Sequence, residues 1–214
     1  MEKKKRMNNQ FLKYSTLIIA VVSILLTSAV AQKLNYSPGY IITLKRDTLF
    51  GHCKSLNNIH SGQFVKFINL VGKKKKYYAG EILGYSREGE YFESKKVVPN
   101  FTVYLKENIF MKRVEKGPVN LFQCTYASKG LPILDREGRE LTKGYSVNTD
   151  YYLEKPTGEN LWVIRYAFSV TVGKFLKDYP KLAQLVVNEE YVYENLQQIV
   201  QIYNDWWKRG RPVE

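Results

Sequence analysis

The sequence predicts an α+β protein in which an antiparallel β meander of roughly 8–10 strands precedes about three C-terminal helices. From Gly39 to Arg165, short runs rich in Tyr, Phe, Val, Ile and Thr alternate with turns that contain Gly, Asp or Pro. This alternation is typical of consecutive β-hairpins. From Phe168 onward the apolar residues instead recur at helical spacing.

Each predicted hairpin consists of two short apolar runs joined by a few turn-forming residues. Connections this short require antiparallel neighbours, because a parallel crossover needs about a dozen residues or more. The sequence leaves open whether the strands form a curved sheet, a partial barrel or a sandwich. The turns are expected at residues 46–47, 72–76, 87–90, 115–118, 135–138 and 155–158.

Three helices are predicted at the C-terminal end. The first follows Phe168 and stops at Tyr179, and Pro180 can occupy the first position of the second helix. The third has a single apolar stripe with helical spacing, formed by Leu196, Ile199, Val200, Tyr203, Trp206 and Trp207. We expect this stripe to pack on the sheet; the alternative is that it binds a partner helix.

Residues 1–31 have the three-part pattern of a secretory signal peptide. Basic residues at 3–6 precede an apolar stretch over 17–26, and small residues follow up to Ala31. We therefore expect cleavage between Ala31 and Gln32. The alternative is an uncleaved membrane anchor, but the apolar stretch is shorter than the ~20 residues that span a bilayer. The mature chain is then expected to be soluble or peripherally attached to a membrane.

The 214 residues carry a formal net charge of +13, from 33 Lys and Arg against 20 Asp and Glu. We predict a signal peptide in residues 1–31, a β domain in residues 32–166 and a helical segment in residues 167–210 that packs on the sheet. Residues 32–126 contain 16 basic and 7 acidic residues, whereas residues 127–214 contain 12 of each. The composition excludes disordered, collagen-like and disulfide-dense proteins.

Few residues could support catalysis or metal binding. One could propose a metal site that consists of His52, Cys53, His60 and Cys124, but the spacing of these residues matches no common zinc-binding pattern. Adjacent strand residues such as His52 and Cys53 also point to opposite faces of a sheet. The sequence contains no Gly-x-Ser-x-Gly, no phosphate-binding loop and no His-Glu-x-x-His. We therefore assign no catalytic, cofactor-binding or metal-binding residue and expect no cofactor.

Cys53 and Cys124 are the only two cysteines, and they fall on different predicted strands. In an oxidising compartment they could form one disulfide that closes a loop of about seventy residues. The alternative is that they are two small buried residues that never meet. The sequence leaves both arrangements open.

The run Lys73, Lys74, Lys75 and Lys76 is the most conspicuous local charge feature. One interpretation is an anion-binding patch for lipid headgroups, lipopolysaccharide or acidic glycan. The other, which we favour, is an exposed hairpin tip whose lysines also discourage edge-to-edge association of sheets. Export argues against nucleic acid as the partner of this basic run.

Four short segments occur in order along the chain, after an Ala-Val-Ala-Gln export site. They are Gly39-Tyr40-Ile41-Ile42-Thr43-Leu44, Gly117-Pro118-Val119-Asn120-Leu121, Tyr151-Tyr152-Leu153-Glu154-Lys155 and a helical tail that contains Tyr203-Asn204. Together they resemble small exported β-rich proteins of unknown function from Bacteroidetes-type Gram-negative bacteria. The resemblance implies an envelope location and a sheet followed by helices, and it brings no activity. Many of these proteins have Cys where this chain has Tyr179, so no disulfide scheme transfers.

Our first functional hypothesis is a non-enzymatic periplasmic or surface-associated module that binds an unknown protein or envelope component. One alternative is an envelope hydrolase or glycan-processing enzyme. Another is a peripheral protein that binds an anionic membrane surface through Lys73–Lys76. A binding module is expected to present a shallow surface, whereas an enzyme is expected to have a deep pocket with convergent titratable groups. Nothing in the sequence predicts the oligomeric state.

Overall fold

The computed structural model describes residues 35–54, 56, 62–96, 108–129, 133–134, 136–137, 139–142 and 145–210. A ten-stranded antiparallel sheet is followed by three helices, which confirms the predicted fold class. The strands are β1 Tyr36–Thr43, β2 Thr48–Lys54, β3 Phe64–Asn69, β4 Lys74–Tyr78, β5 Ile82–Arg87, β6 Glu90–Lys96, β7 Asn108–Glu115, β8 Asn120–Lys129, β11 Tyr145–Glu154 and β12 Asn160–Val163. The short strands β9 Ile133–Leu134 and β10 Glu140–Thr142 form a separate two-stranded sheet.

The strand order of the ten-stranded sheet departs from a simple meander at two places, where β5 pairs with β1 and β8 pairs with β11. Neighbouring strands follow the order β12-β11-β8-β7-β6-β5-β1-β2-β3-β4. Strand β5 therefore pairs with β1 rather than with β4, and β4 and β12 are the two edges of the sheet. Turn-forming residues predict each hairpin. They do not predict that β5 pairs with β1, because this pairing depends on the curvature of the sheet.

The sheet is open and strongly curved. Gly39 and Gly51 pair across β1 and β2, and a Cβ atom on either would lie 2.1 Å from a backbone carbonyl oxygen of the next strand. Glycine is required at both positions because the neighbouring backbones approach so closely. The curvature brings the start of β3 to β7, where the Phe110 N–H donates a hydrogen bond of 2.8 Å to the carbonyl oxygen of Gly62.

Apolar side chains form three clusters on the two faces of this sheet. The cluster inside the curve contains Ile41, Cys53, Val65, Phe67, Ile82, Tyr85, Phe92 and Phe110. On the same face, Val119, Leu121, Leu153 and Val163 pack against the helices. The third cluster, on the opposite face, contains Ile109, Met111, Phe122 and Cys124. The curved part of the sheet and the helix-covered part therefore have separate cores.

The three helices are α1 Phe168–Phe175, α2 Pro180–Val187 and α3 Leu196–Lys208, and short 3-10 turns precede α1 and α3. Pro180 is the first residue of α2, as predicted. The apolar stripe of α3 packs into the helix-covered core, and Ile199 and Tyr203 are fully buried there. The stripe shares this core with Val119, Leu121 and Leu153 of the sheet side. None of the described helices has the length and apolar character needed to cross a membrane.

Candidate functional site

Two hairpin turns with the same backbone geometry lie at one end of strands β1–β4. In residues 43–47 and 69–73, the first residue donates its N–H to the carbonyl oxygen of the fifth, at 2.9 and 3.1 Å. The fourth residue of each turn has a positive φ, 69° at Arg46 and 81° at Gly72. Because β1, β2, β3 and β4 are consecutive antiparallel neighbours, both turns lie at the same end of these strands.

We call residues 44–50 and 70–76 together the hairpin end, and every one of these residues is exposed. Leu70 and Val71 at its tip are 77% and 86% exposed. Continuing the register from the pair Gly51 and Asn69 places Leu70 beside Phe50. The apolar members are Leu44, Leu49, Phe50, Leu70 and Val71, the basic members are Lys45, Arg46 and Lys73–Lys76, and the acidic member is Asp47.

The lysine run is not itself the turn, which corrects the sequence prediction. The turn consists of residues 70–73, and Lys74, Lys75 and Lys76 belong to edge strand β4. The sequence predicted a turn over residues 72–76 because Gly72 and the charged run interrupt the apolar pattern. In an edge strand the lysines alternate between the two faces and keep contact with water, so repulsion does not prevent pairing with β3. The expectation of an exposed run is confirmed.

Two lysines of this run, Lys75 and Lys76, contact aromatic rings. The Nζ atom of Lys76 lies 3.7 Å from the ring centroid of Phe64 and 4.4 Å from that of Tyr78. The Nζ atom of Lys75 lies 4.3 Å from the ring centroid of Tyr77. Within the described part of the chain, Lys73 and Lys74 have neither an ion pair nor a ring contact. Lys73 and Lys74, nearest the tip, are therefore the most available for an external anion.

A second cluster of charged residues lies between the β11–β12 turn and the helices, and its lysine is buried while its aspartate is partly exposed. The Nζ atom of Lys155, whose side chain is 6% exposed, lies 2.9 Å from Asp178 Oδ1 and donates to the carbonyl oxygen of Phe175 at 2.6 Å. The Tyr203 hydroxyl donates to Asp178 Oδ2 at 2.5 Å. Burial by itself raises the pKa of Asp178, but hydrogen bonds from Tyr203 and Lys155 more than offset burial and lower the pKa below its ordinary value.

Asn204 makes a comparable connection between α3 and the sheet. Its Oδ1 accepts a hydrogen bond from the Val119 N–H at 2.7 Å, and its Nδ2 donates to the Val119 carbonyl oxygen at 2.9 Å. A Cβ atom on Gly117 would collide with the same amide. Residues 117–121 and the helical tail that contains Tyr203-Asn204, both noted in the sequence, are thus in contact, and this contact holds the helices to the sheet. Lys155, Tyr203 and Asn204 are buried, and Asp178 is paired with two of them although its side chain is one third exposed, so we assign all four a structural role.

The structure does not bring the two cysteines together. Both thiols are free and buried; Cys53 lies in the cluster inside the curve and Cys124 in the cluster on the opposite face. Burial raises the pKa of each thiol to about 12. Both therefore remain protonated at neutral pH, and a protonated thiol is a poor nucleophile and a poor metal ligand.

The candidate metal ligands are likewise not assembled. His52 is adjacent to Cys53 on β2 and points to the other face of the sheet. Among the described residues, no group of three His, Cys, Asp or Glu could hold a metal ion. His60 and the predicted cleavage position between Ala31 and Gln32 lie outside the described residues.

Comparison with protein-family models, curated proteins and solved structures finds no match to this chain. Sequence reasoning found the lysine run but missed Leu44, Leu49, Phe50, Leu70 and Val71 as members of the same surface. Their positions next to the turn residues Arg46 and Gly72 were the available signal, because strand ends beside a tight turn are often exposed.

Proposed function

We propose that this protein is a non-enzymatic module that binds an anionic phospholipid membrane through its hairpin end. The observation that carries the proposal is the combination of five exposed apolar residues and six basic residues, with one acidic residue, in two adjacent hairpin turns and the strand ends beside them. Stable peripheral binding needs both apolar insertion and attraction to anionic lipid. The hairpin end supplies both.

The geometry suits an orientation in which the strands point toward the membrane. Leu70 and Val71 then enter the headgroup region first, and burying one such side chain completely contributes about 1.5–3 kcal/mol. Lys73 and Lys74 follow directly, and each Lys near an anionic leaflet contributes about 1 kcal/mol. Lys75 and Lys76 lie farther from the tip by about 3.3 Å per residue along β4, so their contribution is smaller.

Export to a Gram-negative envelope is part of this proposal. The basic and apolar leader in residues 1–31 and the resemblance to exported Bacteroidetes proteins support it, and the envelope contains anionic phospholipid surfaces. The leader predicts that mature protein purified from the envelope fraction begins at Gln32. N-terminal sequencing would contradict this part of the proposal if the protein were found uncleaved in the cytoplasm.

The binding test uses residues 32–214, which contain every described residue and exclude the leader, itself basic and apolar. Co-sedimentation should show binding to vesicles of phosphatidylcholine with phosphatidylglycerol, and weaker binding to phosphatidylcholine alone. Binding should weaken as salt is added, because exposed charges are screened over about 10 Å at 0.1 M ionic strength. Binding that is equal on both vesicles, or unchanged by salt, would contradict the proposal, as would binding to lipopolysaccharide alone.

Paired variants locate the interface. K73Q/K74Q should weaken binding about 30-fold, since two contributions of about 1 kcal/mol are lost. K75Q/K76Q should weaken binding less, and K174Q/K177Q, which removes two exposed charges near the end of α1, should leave it unchanged. L70S/V71S should weaken binding without reducing its salt dependence, with V170S as the apolar control. Equal effects of the lysine pairs would contradict the tip-first orientation.

A further inference from the structure

A polar groove opens on the inner face of the sheet, between the cluster inside the curve and the helix-covered core. It has a volume of about 250 Å³ and is lined by Gly62, Glu90, Phe92, Phe110, Lys112, Gln123 and Thr125. Glu90, Lys112 and Gln123 belong to the neighbouring strands β6, β7 and β8, and the register places Lys112 directly opposite Gln123. The groove therefore exists because the sheet curves and brings Gly62 against Phe110.

The charges that line this groove cancel. Lys112 Nζ lies 2.5 Å from Glu90 Oε1, and both side chains are more than one third exposed. A ligand with net charge would have to compete with this ion pair for one of its members. A neutral ligand can instead hydrogen-bond to both members while they stay paired. Glu90 is the single carboxylate among the described lining residues, and glycoside hydrolysis requires two carboxyls.

The remaining polar groups offer both donors and acceptors. Gln123 is half-buried, and among the described residues its amide has no hydrogen-bond partner. Thr125 Oγ1 lies 3.3 Å from Thr149 Oγ1, which leaves further hydrogen-bonding capacity on the hydroxyl. An unpaired half-buried amide beside a hydroxyl and an ion pair matches a ligand that carries several hydroxyl groups, because each hydroxyl both donates and accepts.

We propose that this groove binds one neutral sugar ring. Pockets for drug-sized ligands occupy about 300–1,000 Å³, and the smaller volume here fits a single ring. The rings of Phe92 and Phe110 form the apolar side of the groove, and Glu90, Lys112, Gln123 and Thr125 form its polar side. The proposal does not depend on membrane binding, because the groove and the hairpin end consist of different residues.

The test is ligand-observed NMR on residues 32–214 with glucose, galactose and N-acetylglucosamine, and with acetate and inorganic phosphate as charged probes. We expect saturable binding of at least one sugar and none of the charged probes. Q123A should weaken that binding about tenfold, the effect of one lost hydrogen bond of about 1.4 kcal/mol. Q184A, which truncates an exposed glutamine on α2, should leave it unchanged.

Stability measurements separate binding from folding in this test. The half-buried side chain of Gln123 has no partner among the described residues, so Q123A should unfold at the same temperature as the unmodified protein. The absence of binding by all three sugars would overturn the proposal. Sugar binding that is unchanged in Q123A, or binding of acetate or phosphate without binding of any sugar, would overturn it equally.

Discussion

The hairpin end and the β11–β12 turn are built on the same backbone turn, yet they use lysine in opposite ways. In residues 43–47, 69–73 and 155–159 the first N–H donates to the fifth carbonyl oxygen, and the fourth residue has a positive φ. Lys73 in the second turn is exposed, whereas Lys155 in the third is buried against Asp178.

The difference comes from what covers each turn. Helices α1 and α3 pack over the third turn and supply Phe175, Asp178 and Tyr203 as partners for Lys155. No described element packs over the hairpin end, where all residues are exposed. The same residue type in the same kind of turn is therefore structural in one region and available for binding in the other.

Breaking the buried cluster should have the largest effect on stability. Replacing Lys155 by Met leaves the Phe175 carbonyl oxygen without its donor and the Asp178 carboxylate with the Tyr203 hydroxyl alone, and we expect a loss of about 4 kcal/mol in the free energy of unfolding. Urea titration followed by circular dichroism measures this value. Lys174→Met, at an exposed position on α1, should cost less than about 0.5 kcal/mol. A similar small cost for Lys155→Met would contradict the structural role.

Replacing Asn204 by Leu should have the next largest effect. The substitution leaves the buried N–H and carbonyl oxygen of Val119 unpaired, and the expected loss is about 3 kcal/mol. Gln198→Leu changes an exposed residue of the same helix and is the matched control. If both variants unfolded at the same denaturant concentration, the hydrogen bonds between Asn204 and Val119 would not contribute to the stability of the fold.

The pH dependence of stability should reveal Asp178. Its pKa is lowered in the folded state, so its stabilising contribution is present above the unfolded pKa of about 3.9 and is lost as pH falls through the folded value. Asp178→Asn should therefore flatten the acid side of the stability curve, where one carboxyl contributes at most about 1.4 kcal/mol per pH unit. A curve of unchanged slope would contradict the assignment.

Replacing Arg46 by Gly should have the smallest effect and should separate the two regions most cleanly. Arg46 has a φ of 69°, which is strained for a residue with a Cβ atom. Glycine relieves this strain, so stability should be unchanged or rise by up to about 1 kcal/mol. Binding to anionic vesicles should nevertheless weaken by about fivefold, since one charge worth about 1 kcal/mol is lost. Weaker binding accompanied by a loss of stability would contradict the prediction.

Several elements could be predicted from local pattern because their physical cause is local. The turn between β5 and β6 was expected at residues 87–90, and Glu88 and Gly89 there have φ values of 55° and 79°. Pro180 begins α2, and the spacing of apolar residues in α3 matches its buried face. These features depend on backbone conformation and helical periodicity, which neighbouring residues determine.

Other features depend on residues far apart in the sequence. The sequence favoured an exposed run at Lys73–Lys76. The run lies in an edge strand because β4 pairs with β3 and with no other strand of the described sheet. Nothing in the sequence indicated that Lys155, Asp178 and Tyr203 lie close together, because one is in a turn, one follows the end of a helix and one is in another helix. The groove between Glu90 and Gln123 likewise exists only after the sheet curves.

The sequence by itself determined the hairpins, the three helices and the excess of positive charge in the first half of the chain. Tertiary structure decided which charged residues are enclosed and which remain in water. The physical reason is that burial depends on how the sheet curves and where the helices pack, and both arise from contacts between distant segments. The exposed hairpin end and the inner groove are the two surfaces that this arrangement leaves available for binding.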